Sequence, residues 1–448
     1  MTRFTLWSRA AEAAARTPAS RNRYVDFLRA LSILAVISGH WLVAAPSVHG
    51  GEPNLGSMLQ FQPWTRWLTW AFQVMPVFFF VGGYANGVSW NAAVRDGRAY
   101  AGWLGARLQR LIGPVLPLLV VWALLGLVAG GLGVDPVIVR AGSVMALIPL
   151  WFLAVYIMVV VLVPATYAAW KRFGMVSFWA LAVAAMLDDA LFFAADLRAV
   201  GWLNYAFVWL AVHQLGYAWR DGRLSGPRRA LPWALGGMAV LIGLVTFGPH
   251  PLSMVSVPGA DVSNSLPPKL PMLALGLWEC GLALSLERPM RRWLARAAPW
   301  TATVLVNGMI MTIYLWHLTA AALVVGLALL LGGVGLGIEP GTAVWWAVHP
   351  GWMAAYLLAL APLLLLFGRF ERSPAGGRPA SAWRLVTGAT LVCGGLAVLA
   401  LRGIGTGGAG LAWKALSAPL LGAALAGVLP IGSPRMRTAV QTGPAAPD

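Results

Sequence analysis

Ionisable residues are scarce in this chain, and their scarcity limits what kind of protein it is. Only 10% of its 448 residues are charged, with 15 acidic residues against 32 Lys and Arg. So few charged groups are not expected of a soluble protein of this size. The basic excess would fit a nucleic-acid partner only if it formed a patch. Instead Lys and Arg occur in small clusters between apolar runs, which argues against such a partner.

Cysteine and clustered metal ligands are also lacking. Cys280 and Cys393 both lie in apolar runs and provide no disulfide framework. No spacing of His, Cys and carboxylate residues suggests a metal site, so we expect none. The first twenty residues contain no continuous apolar core. We therefore expect no cleavable signal peptide, with the first membrane span serving as the targeting signal.

Long apolar runs, by contrast, are abundant. Hydrophobic residues make up 59% of the chain. A membrane-spanning helix needs about 20 such residues in succession. Twelve stretches qualify, at 24–45, 67–89, 111–132, 144–169, 175–195, 201–219, 230–248, 270–287, 300–331, 346–368, 385–403 and 413–431. The sequence predicts an all-α fold, a polytopic transmembrane helical bundle.

The distribution of basic residues predicts the orientation of this bundle. If the N-terminus is cytoplasmic, 25 of the 32 Lys and Arg fall in segments on the cytoplasmic side. That bias is typical of the positive-inside rule, so we expect both termini inside and a multi-pass protein of the plasma membrane. Three long outer segments, 46–66, 249–269 and 332–345, are rich in Gly, Pro and Ser and nearly uncharged. They are expected to form loops that shape an external mouth.

The first span carries the most informative polar residues. Asp26, Arg29 and His40 are embedded in it, and His40 lies eleven positions after Arg29. Eleven residues of α-helix return to within about 20° of the starting direction and advance about 16 Å, so both side chains share one face. Each ionisable group in hydrocarbon costs roughly 2.5–3.5 kcal/mol, which favours a polar cavity inside the bundle. The plainer interpretations are an Asp26–Arg29 ion pair and a histidine satisfied by a neighbouring helix.

Several motifs carry a resemblance to a known family. They are Asp26-x-x-Arg29 with His40, the segment from Phe78 to Tyr84 (FFFVGGY), and the segment from Arg107 to Pro114 (RLQRLIGP). Weaker agreements are LWFL at 150–153, YLWH at 314–317, and Glu371-Arg372. With these motifs the chain resembles the acyltransferase type 3 family over roughly residues 21–372. The chain departs from the family pattern at Gly82, where serine is usual.

The resemblance implies a domain organisation and an activity. We expect a cytoplasmic segment at 1–23, a ten-helix acyltransferase core at 24–372, a cytoplasmic linker at 373–384, two additional helices at 385–431 and a cytoplasmic tail at 432–448. The implied enzyme moves an acyl group, with acetyl as the first expectation, from cytoplasmic acyl-CoA to a hydroxyl of a glycan, glycolipid or glycosylated metabolite. Acyl-CoA is then a donor substrate, and no tightly bound cofactor is expected.

The same resemblance, with the spacing above, suggests roles for particular residues. His40 is the candidate catalytic residue, either as a general base or as a covalent acyl carrier, and these two routes stay open. Arg29, Arg107 and Arg110 are candidates for binding the donor phosphates, although the last two are equally typical of cytoplasmic anchoring. Supporting roles are expected for Asp26, Tyr84, Tyr314 and His317.

A different class of protein remains compatible with the sequence. Twelve spans with both ends inside are common in secondary transporters, and intramembrane charges can couple to protons. Against this alternative, the polar residues are concentrated in one helix and no inverted halves are evident. Weaker candidates for polar roles are His213, Glu279, Asp188 and Asp189. Trp64 and Trp67 are candidates for stacking on sugar faces.

Overall fold

Helices dominate the protein. The computed structural model describes residues 6–50, 52–371, 380–405 and 410–429. Within these ranges the only sheet is a two-stranded hairpin. The prediction of an all-α polytopic bundle is confirmed. Residues 1–5 of the predicted N-terminal segment, 372–379 around the predicted linker, and the whole predicted tail at 432–448 lie outside the described residues.

Among the described residues, ten helices and the hairpin precede residue 200. In chain order they are α1 Leu6–Ala15, α2 Arg23–Val43, β1 Ala44–His49, β2 Glu52–Ser57, α3 Met58–Phe61, α4 Thr69–Phe72, α5 Met75–Arg95, α6 Tyr100–Ile112, α7 Val115–Gly131, α8 Pro136–Leu147, α9 Leu150–Phe173 and α10 Met175–Ala194.

Nine more helices follow in the described residues after residue 200. They are α11 Asn204–Arg220, α12 Pro227–Phe247, α13 Leu270–Ser285, α14 Glu287–Trp293, α15 Ala297–Asn307, α16 Ile310–Leu330, α17 Ala343–Phe367, α18 Ala382–Arg402 and α19 Trp413–Leu425. Short 3-10 turns occur at Pro63–Leu68, Val200–Leu203 and Gly368–Glu371.

The structure gives fewer full-length spans than the twelve predicted. In the described part of the chain, nine helices are long and apolar enough to cross a membrane, and ten if the α13–α14 pair, bent by 53°, counts as one span. The predicted spans at 201–219 and 413–431 are helical but short, with 17 residues in α11 and 13 in α19. The residues before α11 form the 3-10 turn Val200–Leu203, and the apolar residues 426–429 after α19 are not helical, so a window of hydrophobicity overestimates the length of the α-helix.

Close helix contacts in the centre of the bundle depend on glycine. A Cβ at Gly83 of α5 would lie 1.9 Å from the carbonyl oxygen of His213 in α11. A Cβ at Gly216 of α11 would lie 2.2 Å from the carbonyl oxygen of Phe80. The two helix backbones therefore touch, as small residues allow in membrane proteins. Gly83, the second glycine of the FFFVGGY motif, thus has a packing role.

A small separate core covers the C-terminal end of α2. Strands β1 and β2 pair antiparallel from Ala44 opposite Ser57 to His49 opposite Glu52. Ala45, Met58 and Trp345 form a buried cluster against which Val43 and Trp346 pack. Because β1 follows α2 directly, this cluster fixes the end of the helix that carries His40.

Candidate active site

The helix α2 is unbroken between its two candidate functional residues. It runs from Arg23 to Val43, and the side chain of Asn22 caps its start by accepting a hydrogen bond from the Tyr24 amide at 3.2 Å. An unbroken helix preserves the predicted separation of about 16 Å between Arg29 and His40 along the axis. These two residues therefore lie on one face, as expected.

That face points into the bundle. Ile33 and Val36 lie between Arg29 and His40 at helical spacing, and they are 2% and 6% exposed. Leu31 and Leu34, on the opposite side, are 48% and 44% exposed. The polar face of α2 is therefore the inner one, and its leucine face is the one available to lipid.

His40 contacts a second histidine from a distant part of the chain. Its Nδ1 lies 2.9 Å from Nε2 of His317 in α16, and the two rings are nearly parallel, at 5°. His317 is fully buried. Its other ring nitrogen, Nδ1, lies 2.6 Å from the carbonyl oxygen of Tyr314.

This arrangement determines where the protons lie. A carbonyl oxygen only accepts, so His317 carries its proton on Nδ1 and donates it to Tyr314. The Nε2 of neutral His317 is then an acceptor, and His40 must donate to it from Nδ1. Neutral His40 is left with a lone pair on Nε2. That nitrogen has no hydrogen-bond partner among the described residues, and the His40 side chain is partly exposed. His40 is therefore a base whose Nε2 lone pair is available.

The helix that carries His317 is held at its start by an acidic residue. The carboxylate of Glu371 accepts hydrogen bonds from the amides of Met311 and Thr312, at 3.0 and 3.2 Å, and from the Thr312 hydroxyl at 2.9 Å. A carboxylate at a helix N-terminus is stabilised by the unpaired amides there. Glu371 therefore fixes α16, and the indole of Trp41 adds a link by donating to the His317 carbonyl at 3.2 Å.

Asp26 pairs with more than the predicted partner. Its Oδ1 lies 3.6 Å from Nη1 of Arg29, which is the expected ion pair. Its shorter contacts are with Arg21, whose Nε and Nη2 donate at 2.6 and 3.1 Å. The hydrogen bond with Asp26 raises the pKa of Arg21 above its ordinary value. Two guanidinium groups thus share one carboxylate, and Arg29 keeps donors that Asp26 does not use.

Arg107 lies beside the same cationic region. Its Nη2 donates to the hydroxyl of Ser89, and its guanidinium lies 5.7 Å from the ring centroid of Trp103. The charges of Arg110 and Arg29 both act on Arg107. Arg110 is exposed, and neither it nor Arg107 has a carboxylate partner in the part of the chain that the structure describes. The three arginines therefore form a positively charged region that is only partly neutralised by Asp26.

The glycine at position 82 admits a tyrosine. A Cβ there would lie 2.9 Å from Cε2 and 3.1 Å from the hydroxyl of Tyr156 in α9. Tyr156 thus occupies space that a larger residue at 82 would need. The sequence did not point to Tyr156. The departure from serine at Gly82 was a signal that another side chain occupies the space beside position 82.

The two tyrosines expected to have supporting roles make contacts outside the histidine pair. Tyr84 packs on Trp219 of α11, with ring centroids 4.6 Å apart. The hydroxyl of Tyr314 donates to the Pro149 carbonyl at 2.8 Å, so only the backbone oxygen of Tyr314 forms a hydrogen bond with the histidine pair. Its ring lies beside that of His317, with centroids 6.1 Å apart. The structure therefore brings His317 and Tyr314 close to His40, whereas Tyr84 packs in another part of the bundle.

A second polar cluster lies away from α2, at the end of α10. Asp189 accepts from Asn204 at 3.1 Å and from the Leu270 amide at 2.7 Å. Several buried polar atoms around it have no hydrogen-bond partner among the described residues, namely both oxygens of Asp188, Oδ1 of Asn204, Nδ1 of His250, Oδ1 of Asn264 and Nζ of Lys269, although this Nζ lies 3.7 Å from the Phe192 ring centroid. Unpaired buried groups are costly, so this cluster is expected to enclose ordered water.

Comparison with known proteins gives one match. The model of a family described as an acyltransferase domain matches residues 22–368. That range contains α2, α16 and the three arginines, and it ends before α18 and α19. No curated protein and no solved structure matches the chain.

Proposed function

The chain belongs to the acyltransferase type 3 family, and on that premise we propose that it is a membrane enzyme that transfers an acyl group from acyl-CoA to a hydroxyl of a glycan, glycolipid or glycosylated metabolite. Acetyl-CoA is the proposed donor. We further propose that the enzyme resides in the plasma membrane, with both termini in the cytoplasm. The membrane acyltransferase class follows from the family, and the donor, acceptor, membrane and residue roles are our proposal.

The arrangement of charges supports an acyl-CoA donor. Arg29, Arg107 and Arg110 supply guanidinium donors, which suit phosphate groups because they bind them in a bidentate manner. The pantetheine arm would extend along α2 in the direction from Arg29 to His40. The thioester would then lie beside His40, about 16 Å from Arg29.

In the proposed reaction His40 acts as a general base. Its Nε2 takes the proton of the acceptor hydroxyl while that oxygen attacks the thioester carbonyl carbon. The tetrahedral intermediate collapses with cleavage of the carbon–sulfur bond, and the leaving thiolate receives the proton from His40. His317 accepts from Nδ1–H throughout, which keeps Nε2 unprotonated before the reaction and stabilises the imidazolium during it.

The alternative chemistry is a covalent acyl-imidazole on His40. In that route Nε2 attacks the thioester, releases the thiolate, and later passes the acyl group to the acceptor. Rapid quenching after mixing with labelled acetyl-CoA in the absence of acceptor separates the two. Label bound to wild-type protein and missing from His40→Ala would establish the covalent route.

The observation that carries the proposal is the His40–His317–Tyr314 hydrogen-bond series. We would express the full chain and incubate its membranes with radiolabelled acetyl-CoA, following label into products that are no longer thioesters. His40→Ala should abolish this transfer. The matched control is His213→Ala, since His213 is also a fully buried membrane histidine but pairs with Asn86 instead. Equal transfer in both variants, or substrate flux without covalent change, would contradict the proposal and favour a transporter.

A further inference from the structure

An exposed tryptophan, Trp64, and a partly buried one, Trp346, form an organised surface beyond the end of α2. Gln62 follows α3, and its Oε1 accepts hydrogen bonds from the indole nitrogens of both Trp64, at 3.0 Å, and Trp346, at 3.1 Å. The two indole rings lie 5.9 Å apart. We call Gln62, Trp64 and Trp346 the tryptophan rim.

The rim is rigid. The remaining amide group of Gln62, Nε2, donates to the Gly341 carbonyl at 2.6 Å. Gly341 has φ +90°, and a Cβ there would lie 2.8 Å from Gln62 Nε2, so only glycine lets the glutamine approach. Every polar atom of the Gln62 side chain is used, and both indoles are held at fixed angles.

The rim adjoins the end of α2. Trp346 and Val43 both pack against the small core that follows this helix, and Val43 lies one helical turn beyond His40. The neighbouring Trp345 stacks on His349 with centroids 4.2 Å apart, and His349 donates to the Trp41 carbonyl at 3.1 Å. The rim is therefore connected to the residue next to His40 by direct contacts.

Membrane-interface anchoring does not account for this geometry. An interfacial tryptophan presents its N–H to headgroups and water. In the rim both N–H groups point inward to Gln62, so the ring faces and not the donors are presented. Trp64 is nevertheless 54% exposed. Trp413, 58% exposed on the same predicted side, has no hydrogen bond from its indole nitrogen within the described residues and fits the anchoring role.

Exposed, immobilised ring faces suit a ligand that stacks. The two chain segments that form this surface, 44–69 and 332–349, contain only Glu52, Arg66 and Glu339 as charged residues. A charged ligand would find little complement there, whereas the apolar C–H face of a neutral sugar ring would pack on an indole while its hydroxyls stay in water.

We infer that the tryptophan rim binds a neutral pyranose ring of the acyl acceptor and presents its hydroxyl to His40. This inference rests on the proposed function. It narrows the acceptor to a ring-closed sugar and assigns its recognition to Trp64 and Trp346, with Gln62 as a positioning residue.

The test measures sugar binding without acyl transfer. Methyl glucopyranoside and methyl galactopyranoside would be titrated into the purified full chain by calorimetry, with open-chain sorbitol as the probe that has hydroxyls but no ring face. We expect the wild type to bind one or both pyranosides and not sorbitol. Trp64→Ala and Trp346→Ala should each raise the Kd about tenfold, Trp64→Phe should retain most of the affinity, and Trp413→Ala should leave it unchanged. Gln62→Ala should weaken binding although both indoles remain in the chain, because neither ring is then held by a hydrogen bond to Gln62.

Separate outcomes distinguish this inference from the proposed function. If neither pyranoside binds, or if Trp413→Ala weakens binding as much as Trp64→Ala, the rim is an ordinary interfacial surface and the inference is wrong. Binding of acetyl-CoA by the same preparation is measured independently. A protein that binds acetyl-CoA but no pyranoside leaves the proposed donor chemistry standing, and one that binds pyranosides but not acetyl-CoA refutes that donor chemistry instead.

Discussion

Replacing His317 by phenylalanine tests the role of the histidine pair most informatively. Phenylalanine fills similar space in this fully buried position, so a large cavity is not created. It removes the acceptor that lies 2.9 Å from Nδ1 of His40. His40 then loses the partner that holds its proton on Nδ1 and that stabilises the imidazolium.

The expected loss follows from the energy of that hydrogen bond. A hydrogen bond to a charged group contributes about 1.5–3 kcal/mol, and each 1.36 kcal/mol is tenfold in rate. We therefore expect kcat to fall by about one to two orders of magnitude in His317→Phe. The KM for acetyl-CoA should not change, because Arg29, Arg107 and Arg110 are untouched.

The assay is acceptor-dependent release of CoA by purified protein, with the melting temperature measured in parallel to confirm folding. His317→Gln is the conservative partner, since its amide oxygen can accept from His40 Nδ1–H, and it should retain more activity than His317→Phe. A folded His317→Phe protein with wild-type kcat would refute the argument that His317 sets the protonation of His40.

Three further predictions concern the donor region, the packing and the pH dependence. Arg29→Gln should raise the KM for acetyl-CoA about tenfold or more, because it removes a charged hydrogen-bond donor. A steady-state titration that finds an unchanged KM would show that Arg29 does not bind the donor. Gly83→Ala should lower the melting temperature strongly because the new Cβ would lie 1.9 Å from the His213 carbonyl oxygen. Gly102→Ala is the control, since open space surrounds Gly102, and it should leave the melting temperature unchanged. Equal melting temperatures of the two variants would contradict the close contact between α5 and α11. Burial, and then the charge of Lys269, lowers the pKa of His250 to about 4, so the folded state binds fewer protons than the unfolded chain between about pH 6.5 and 4. The free energy of unfolding should fall by about 3 kcal/mol as the pH drops through that window. The melting temperature of His250→Gln should therefore depend less on pH than that of the wild type. The same pH dependence in both proteins would show that His250 does not titrate on unfolding.

Features set by local geometry could be predicted from the sequence. The shared face of Arg29 and His40 follows from helical periodicity alone, and the Asp26–Arg29 pair follows from a spacing of three residues. The membrane class follows from the length and composition of the apolar runs. These predictions need no knowledge of which helices become neighbours.

Contacts between distant segments could not be predicted in this way. His40 and His317 are 277 residues apart, and Gln62 and Trp346 are 284 apart. Their pairing depends on how helices assemble, for which one sequence carries no direct signal. The sharing of Asp26 by Arg21 was missed for a different reason, because Arg21 precedes the helix and its direction depends on the turn before α2. In the described residues, fewer helices than the twelve predicted have the length of a full span, because apolar composition does not mark where a helix ends.

The central claim is that Nε2 of His40 activates the acceptor hydroxyl for attack on a thioester. The most direct measurement is the rate of CoA release at saturating acetyl-CoA and acceptor, in wild type and in folded His40→Ala. A general base contributes about 10²–10⁴ to a rate, and we predict a loss in that range, with acetylated acceptor formed in equal amount to CoA in the wild type. A folded His40→Ala protein that releases CoA and forms acetylated acceptor at the wild-type rate would contradict the account.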